Sequence, residues 1–175
     1  RRSVRSFADE PLTRRELGGL LEHGAGVSDE ESEKRTYASP GALYPTELYL
    51  LVRNVEGVDP GVYYYTAPRH VLRRLEAGGP AFDDRVASTI IGNSAADVTT
   101  AGVVFVFTAT FPRVTFKYGA RGYRYALQES GHLSQNLLLA ATGLGLAAIP
   151  QAAFRDEATN ELLGVDGVSE AATYT

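Results

Sequence analysis

From Lys117 to Pro150 the chain reads KYGARGYRYALQESGHLSQNLLLAATGLGLAAIP, and few architectures can house such a stretch. Leu133, Leu137, Ala140, Ala141 and Leu144 recur at helical spacing, and so do Leu127, Gly131, Ser134, Leu138 and Ala141. A helix that is apolar on nearly every side belongs in an interior, with layers or subunits against several faces. Its first half also carries a polar stripe: Tyr125, Gln128, His132, Gln135 and Asn136, each three or four residues from a neighbour. Gly143 and Gly145 stop the helix. Lys117 and Tyr118 stand just before it. The expectation is a long central helix that presents polar groups at one end.

A chain of 175 residues suits one domain, and a 44% hydrophobic, 22% charged composition is ordinary for a folded one. The net charge of −4 gives no electrostatic support to a nucleic-acid or anionic-membrane partner. No apolar run is long enough to span a bilayer. Without cysteine there are no disulfides, thiolate nucleophiles or cysteine metal sites. The chain opens at Arg1 and contains no methionine, so its ends are expected to be trimmed. Of its 17 basic residues only Lys34 and Lys117 are lysine.

Taken in order, RRSVRSF sets Arg1, Arg2 and Arg5 around Ser3. Alone, this heptad reads as a solvated basic terminus; the alternative is a phosphate site, since arginine forks bind phosphate oxygens bidentately. Thr13 and Glu16 form a T-x-x-E capping box for a helix to about His23, with Leu17, Leu20 and Leu21 inward. Residues 28–35 read as a charged loop. In SPGALYPTELYLLVRN, Ser39 to Pro45 is too rich in Gly and Pro for a regular element, and Glu47 to Arg53 is a buried strand. The glycine loop is either an ordinary turn or a place for backbone to approach a flat ligand. GVYYYTA and Val71 to Leu75 pair as a hairpin. Helices are expected over 82–91 and 156–163, and strands over 103–110, 146–149 and 171–175. Interleaved helices and strands with a hairpin between them predict an α+β fold on a mixed, mostly antiparallel sheet.

Two partial motifs carry little. Gly143-x-Gly145-x-x-Ala148 follows a helix and precedes a strand, the reverse of a dinucleotide fingerprint. Glu129-x-x-His132 is half of a di-iron pattern whose other half is missing, which leaves a satisfied buried histidine as the simpler reading. No H-E-x-x-H, P-loop or G-x-S-x-G is present, and no metal site is expected.

In this order, RRSVRSF, SPGALYPTELYL, VVFVFTATFPR, the 117–150 stretch and NELLGVDG resemble the FMN-dependent nitroreductase-like family, and specifically its SagB-type azoline dehydrogenase branch. The resemblance covers almost the whole chain and implies one flavin-binding domain over 1–175, truncated at both ends. It implies a cytoplasmic homodimer holding two FMN molecules in the subunit interface. Arg1, Arg2, Ser3 and Arg5 then match the motif for the phosphate and the ring's polar edge. Ser39, Pro40, Gly41 and Leu43 match a loop lent by the partner subunit, and Asn93 a position at the pyrimidine edge. Pro150, Gln151, Ala152 and Ala153 match the segment beside the reactive nitrogen. Lys117 and Tyr118 match the pair assigned to catalysis.

Residue chemistry agrees with that implication. Aromatising a thiazoline or oxazoline removes a hydride, which a flavin can accept, and a proton, which needs a positioned base. A neighbouring ammonium favours phenolate, so Lys117 would assist Tyr118 as that base. Adjacent residues on a strand point to opposite faces, so the pair is expected on a loop or a helix start. Without the resemblance it reads as a surface lysine beside a packed tyrosine. Two features depart from the family pattern: alanines 152 and 153 where glycine or an acidic residue is usual, and an end at Thr175 before a last strand. The readings are therefore three: oxidation of azolines in a peptide, with a cyclodehydratase or peptide synthetase as partner; NAD(P)H-dependent reduction of nitro compounds or quinones; or a non-catalytic scaffold.

Overall fold

A computed structural model describes residues 1–29, 31–91 and 98–175. The first helix, α1 (Arg14–Ala25), opens on the expected capping box. The Glu16 amide donates to Thr13 Oγ1 at 3.2 Å, and the Thr13 amide donates to Glu16 Oε2 at 2.9 Å. The charged segment read as a loop is instead a small antiparallel hairpin, β1 (Val27–Asp29) with β2 (Lys34–Arg35). It shows no apolar alternation because it lies at the surface. Its pairing is reinforced by the Ser28 hydroxyl, 3.1 Å from the carbonyls of Lys34 and Arg35.

The central sheet is built from β3 (Thr46–Val52), β4 (Gly61–Thr66), β5 (Val71–Ala77), β6 (Val103–Thr110) and β7 (Glu170–Tyr174), in the order β5-β4-β3-β6-β7. All four ladders are antiparallel, and a parallel bridge joins Leu12 to Val55 beside them. Strand β3 is central and buried on both faces, which is why its sequence runs nearly without polar breaks. Leu48, Leu50 and Val52 face one layer with α1 and the long helix; Tyr49 and Leu51 face α2 (Phe82–Thr89) and α5 (Asp156–Leu163). Each side chain fully removed from water here contributes about 1.5–3 kcal/mol. The α+β class with a mostly antiparallel sheet therefore holds.

Between β6 and the long helix lies α3 (Pro112–Tyr118), and then α4 (Arg121–Gly143) runs for 23 residues. It ends where the glycines predicted: Gly145 donates to Thr142 O and Leu146 to Ala141 O. Burial is one-sided, however. Leu133, Leu137 and Ala141 pack on the sheet, while Leu127, Leu139 and Leu144 are 39%, 52% and 38% exposed. Within one chain α4 is thus not enclosed on all sides. Residues 146–149 do not form the expected strand; the Ala148 carbonyl accepts from Val4 N at 3.1 Å, and among the described residues no ladder neighbour lies beside the segment. Among the described residues no helix is long and apolar enough to cross a membrane.

Candidate functional site

The residues expected at a site fall into two groups at different levels of α4. The first group surrounds a cavity of about 450 Å³. Its wall begins at Phe7 and includes Phe105 from β6, Leu138 and Ala141 from α4, and the segment from Gly145 to Gln151. The N-terminal arm reaches this wall through its bond from Val4 to Ala148. Arg1, Arg2 and Arg5 are exposed and Ser3 is half-buried, so these residues flank the cavity instead of lining it. Pro150 and Gln151 do line it; Gln151 exchanges two backbone bonds with Thr175, at 2.7 and 3.0 Å. Ala152 and Ala153 continue past the wall, and the Ala153 carbonyl accepts from Ile91 at 3.0 Å. Asn93 lies outside the described residues.

The second group is built on the loop from Ser39 to Pro45. Its backbone is left-handed three times, at Gly41 (φ 61°), Ala42 (φ 53°) and Tyr44 (φ 46°). Two of those residues carry a Cβ, and this conformation persists only where surroundings enforce it. The Tyr44 amide donates to Ser39 Oγ at 2.9 Å, and Arg113 donates to the Tyr44 carbonyl at 2.6 Å while pairing with Glu47. The Ser39 hydroxyl thus serves the loop itself. Leu43 packs inward against the cluster of Ala109, Val114 and Ala126.

Lys117 and Tyr118 meet this loop. They sit at the C-terminal end of α3, neither on a loop nor at a helix start as expected. Helical neighbours differ by about 100° in direction, so both side chains can reach one spot, which strand neighbours cannot. That spot is Gly41: a Cβ placed there would stand 2.6 Å from Tyr118 Oη and 2.8 Å from Lys117 Nζ. Lys117 Nζ also lies 5.4 Å from the centre of the Tyr118 ring, a cation–π contact, and Tyr118 meets Tyr125 edge-on at 5.1 Å. The helix C-terminus offers the ammonium a favourable dipole.

The Glu129-x-x-His132 spacing is not a metal pair, nor is His132 buried. His132 is exposed, with Nδ1 3.2 Å from the Ala38 carbonyl, which can only accept. Among the described residues no group of three or more potential ligands gathers around a metal position. Along α4 the two groups follow one another: Glu129, under the loop, is about 7.5 Å along the axis from Ser134, where the cavity wall begins on this helix, and about 18 Å from Ala141, farther along that wall. Arg113 and Glu129 are site residues that motif reading did not find, because their roles depend on partners more than sixty positions away.

A five-stranded antiparallel sheet between two helical layers, with the candidate residues strung along one long helix, defines an α+β fold. The chain belongs to the nitroreductase family, whose model matches residues 1–174 and whose members generally bind flavin. It is 40% identical over 167 residues to the nitroreductase-family protein MJ1384 of Methanocaldococcus jannaschii, covering 94% of this chain and 81% of that one. It is 32% identical to the microcin B17-processing protein McbC of Escherichia coli, covering 92% of this chain but 60% of McbC. The structure of the E. coli microcin synthetase McbBCD complex with truncated pro-MccB17 superposes with a TM-score of 0.85 at 29% identity, covering 99% of this chain and 67% of that chain. These relatives bear out the SagB-type branch expected from the sequence.

Proposed function

We propose that this chain is an FMN-dependent dehydrogenase that works as a homodimer and oxidises azoline rings of a peptide to azoles. The observation that carries this reading is the convergence of Lys117 Nζ and Tyr118 Oη on Gly41. The residues present fit a mononucleotide flavin. Three exposed arginine forks suit a phosphate dianion, and the adjoining apolar wall of Phe105, Leu138 and Ala141 suits a flat ring. The left-handed Gly41 exposes backbone where a side chain would block approach. Bound FMN supplies a two-electron acceptor for the hydride leaving the azoline carbon, with dioxygen taking the electrons back.

The chain's own residues do the rest. Acting as the phenolate, Tyr118 Oη takes the proton from the neighbouring ring carbon and ends as the phenol, with the Lys117 ammonium as the counter-charge beside it. The apolar cavity wall keeps water away from the reacting bonds. A dimer is supported by the open side of α4, where Leu127 and Leu139 are exposed. A second copy would bring its loop, Lys117 and Tyr118 to the first copy's cavity. The synthetase complex among the structural neighbours supports a peptide substrate and a cyclodehydratase partner.

Tyr118→Phe is expected to keep its flavin and lose about 10²–10⁴-fold in azoline turnover. Undiminished turnover in a flavin-loaded variant would remove the base and, with it, this reading. The likeness to MJ1384 favours a second reading, NAD(P)H-dependent reduction of nitro compounds or quinones. Anaerobic mixing with NADPH separates the two, since rapid bleaching of the flavin supports reduction.

A further inference from the structure

We propose that Glu129 is a positioning residue for the Lys117–Tyr118 half of the site, holding both ends of the 39–46 loop so that Gly41 stays against those two side chains. The proposal rests on the function proposed above. Glu129 is fully buried, at 0% exposure, on the face of α4 under the loop. A carboxylate is costly to bury unless hydrogen bonds compensate it.

Those bonds lie at the two ends of the loop. At its far end, the Thr46 amide donates to Glu129 Oε1 at 3.1 Å. At its near end stands the Ser39 hydroxyl: burial raises the Glu129 carboxyl above its ordinary value, and bonds from Ser39 and Thr46 oppose that rise. Ser39 Oγ already accepts from Tyr44, which leaves its own proton to donate. Between these ends the backbone is left-handed at Gly41, Ala42 and Tyr44, a conformation that does not hold itself. The loop also has room to leave. A space of about 290 Å³ separates Ser39 and Pro40 from Tyr125, Gln128 and His132, so side-chain packing does not pin the loop from that side. Among the described residues Glu129 Oε2 has no hydrogen-bond partner, so the Thr46 end of the loop rests on Oε1 alone.

The test uses the flavin-loaded wild type, Glu129→Ala and Glu129→Gln. Hydrogen–deuterium exchange is read across the amides of residues 39–46, and across α1 and β4 as internal references. Glu129→Ala should speed exchange in the loop about tenfold or more while the references hold. Its kcat for an azoline peptide should fall about tenfold or more with KM little changed, because the pair is misplaced and not removed. Glu129→Gln keeps an acceptor for Thr46 and should lie between. Unchanged loop exchange in Glu129→Ala overturns the proposal, as does a uniform rise across the references, which a merely structural residue would give. If Glu129→Ala does not fold, Glu129→Gln decides: wild-type exchange in its loop overturns the proposal. A wild type that turns over no azoline peptide would sink the assigned reaction, and the exchange arm would still judge the clamp.

Discussion

Gly41→Ala tests the geometry of the site with one methyl group. Gly41 has φ 61° and ψ 22°, so an alanine there sits in the left-handed region at a cost of about 1–2 kcal/mol. In a chain of this size that lowers Tm by roughly 2–8 °C. The methyl would also stand 2.6 Å from Tyr118 Oη and 2.8 Å from Lys117 Nζ. Ordinary contact is near 3.5 Å, so each tip must retreat by roughly 0.7–0.9 Å. Both tips are ends of flexible side chains, so the fold survives and the displacement goes into the pair. A misplacement of about 1 Å in a catalytic group costs up to about 10²-fold in rate.

Turnover of an azoline peptide, followed by mass spectrometry as loss of two hydrogens, is therefore expected to fall by about 10- to 100-fold in flavin-loaded Gly41→Ala. The control is Gly57→Ala. Gly57 has φ 67° and nothing within 4 Å of its Cβ position, so it takes the same backbone strain without touching the pair. It should lose the same few degrees and keep its turnover. If Gly41→Ala shows the lower Tm with wild-type turnover, the pair does not act at Gly41 and the reasoning fails.

Two further perturbations address the dimer and the response to acid. Gly131 lies in the middle of α4 with nothing within 4 Å of its Cβ position, so a larger residue in a lone chain should stabilise the helix by about 0.5–1 kcal/mol. Gly131→Leu is nevertheless expected to weaken the dimer at least tenfold or so by analytical ultracentrifugation, because close helix approach tolerates little bulk there; an undiminished dimer would move the interface off this face. Asp166 Oδ1 accepts from the amides of Val168, Ser169 and Glu170 at 2.8, 2.8 and 2.9 Å, which holds its carboxyl down at about 2. The folded value lies below the ordinary one of 3.8, so this stabilisation is complete above the ordinary value and is lost as pH falls through about 2. The Tm gap between wild type and Asp166→Asn should thus be widest near neutrality and close on acidification; a gap independent of pH would contradict the charge-based account.

Local signals in the sequence were legible where the structure is local. The capping box of α1, the β4–β5 hairpin, the β-branched run of β6 and the glycine stop of α4 each depend on residues within a few positions of one another. Helix α3 was not legible: PRVTFKY has poor helix propensity, and its first turn is held by packing, with Val114 fully buried beside Ala109 and Ala126. Residues 146–149 have the composition of a strand and no neighbour to pair with. The long helix looked buried on every side because leucines recur all round it, and spacing alone does not separate the exposed Leu127, Leu139 and Leu144 from the buried Leu133 and Leu137. In the site, Lys117 and Tyr118 were found through resemblance, but no spacing rule connects them to Gly41, more than seventy residues earlier. Glu129 was read through its distance to His132, and spacing along a helix does not reveal that one side chain points in and the other out.

Helix α4 explains why the site is divided as it is. Its C-terminal half supplies Leu138 and Ala141 to the cavity and holds Asn136, which donates to Thr36 O at 2.8 Å; nearer its middle, Glu129 accepts from the Thr46 amide and His132 meets the Ala38 carbonyl. Its outer face carries Gly131 midway between Leu127 and Gln135, where a twin helix can approach. One rigid rod therefore sets three quantities at once: the depth of the cavity, the pose of the loop and the distance between them. On the function proposed here, the base and the glycine loop travel as one unit into the partner's cavity, because Gly41, Lys117 and Tyr118 are already in contact within a single chain. Dimerisation then does not assemble the catalytic pair; it delivers a finished pair to the ring. That division assigns fast local order to residues of one chain and leaves to the interface only the alignment of two rigid bodies, which a single long helix is well suited to hold.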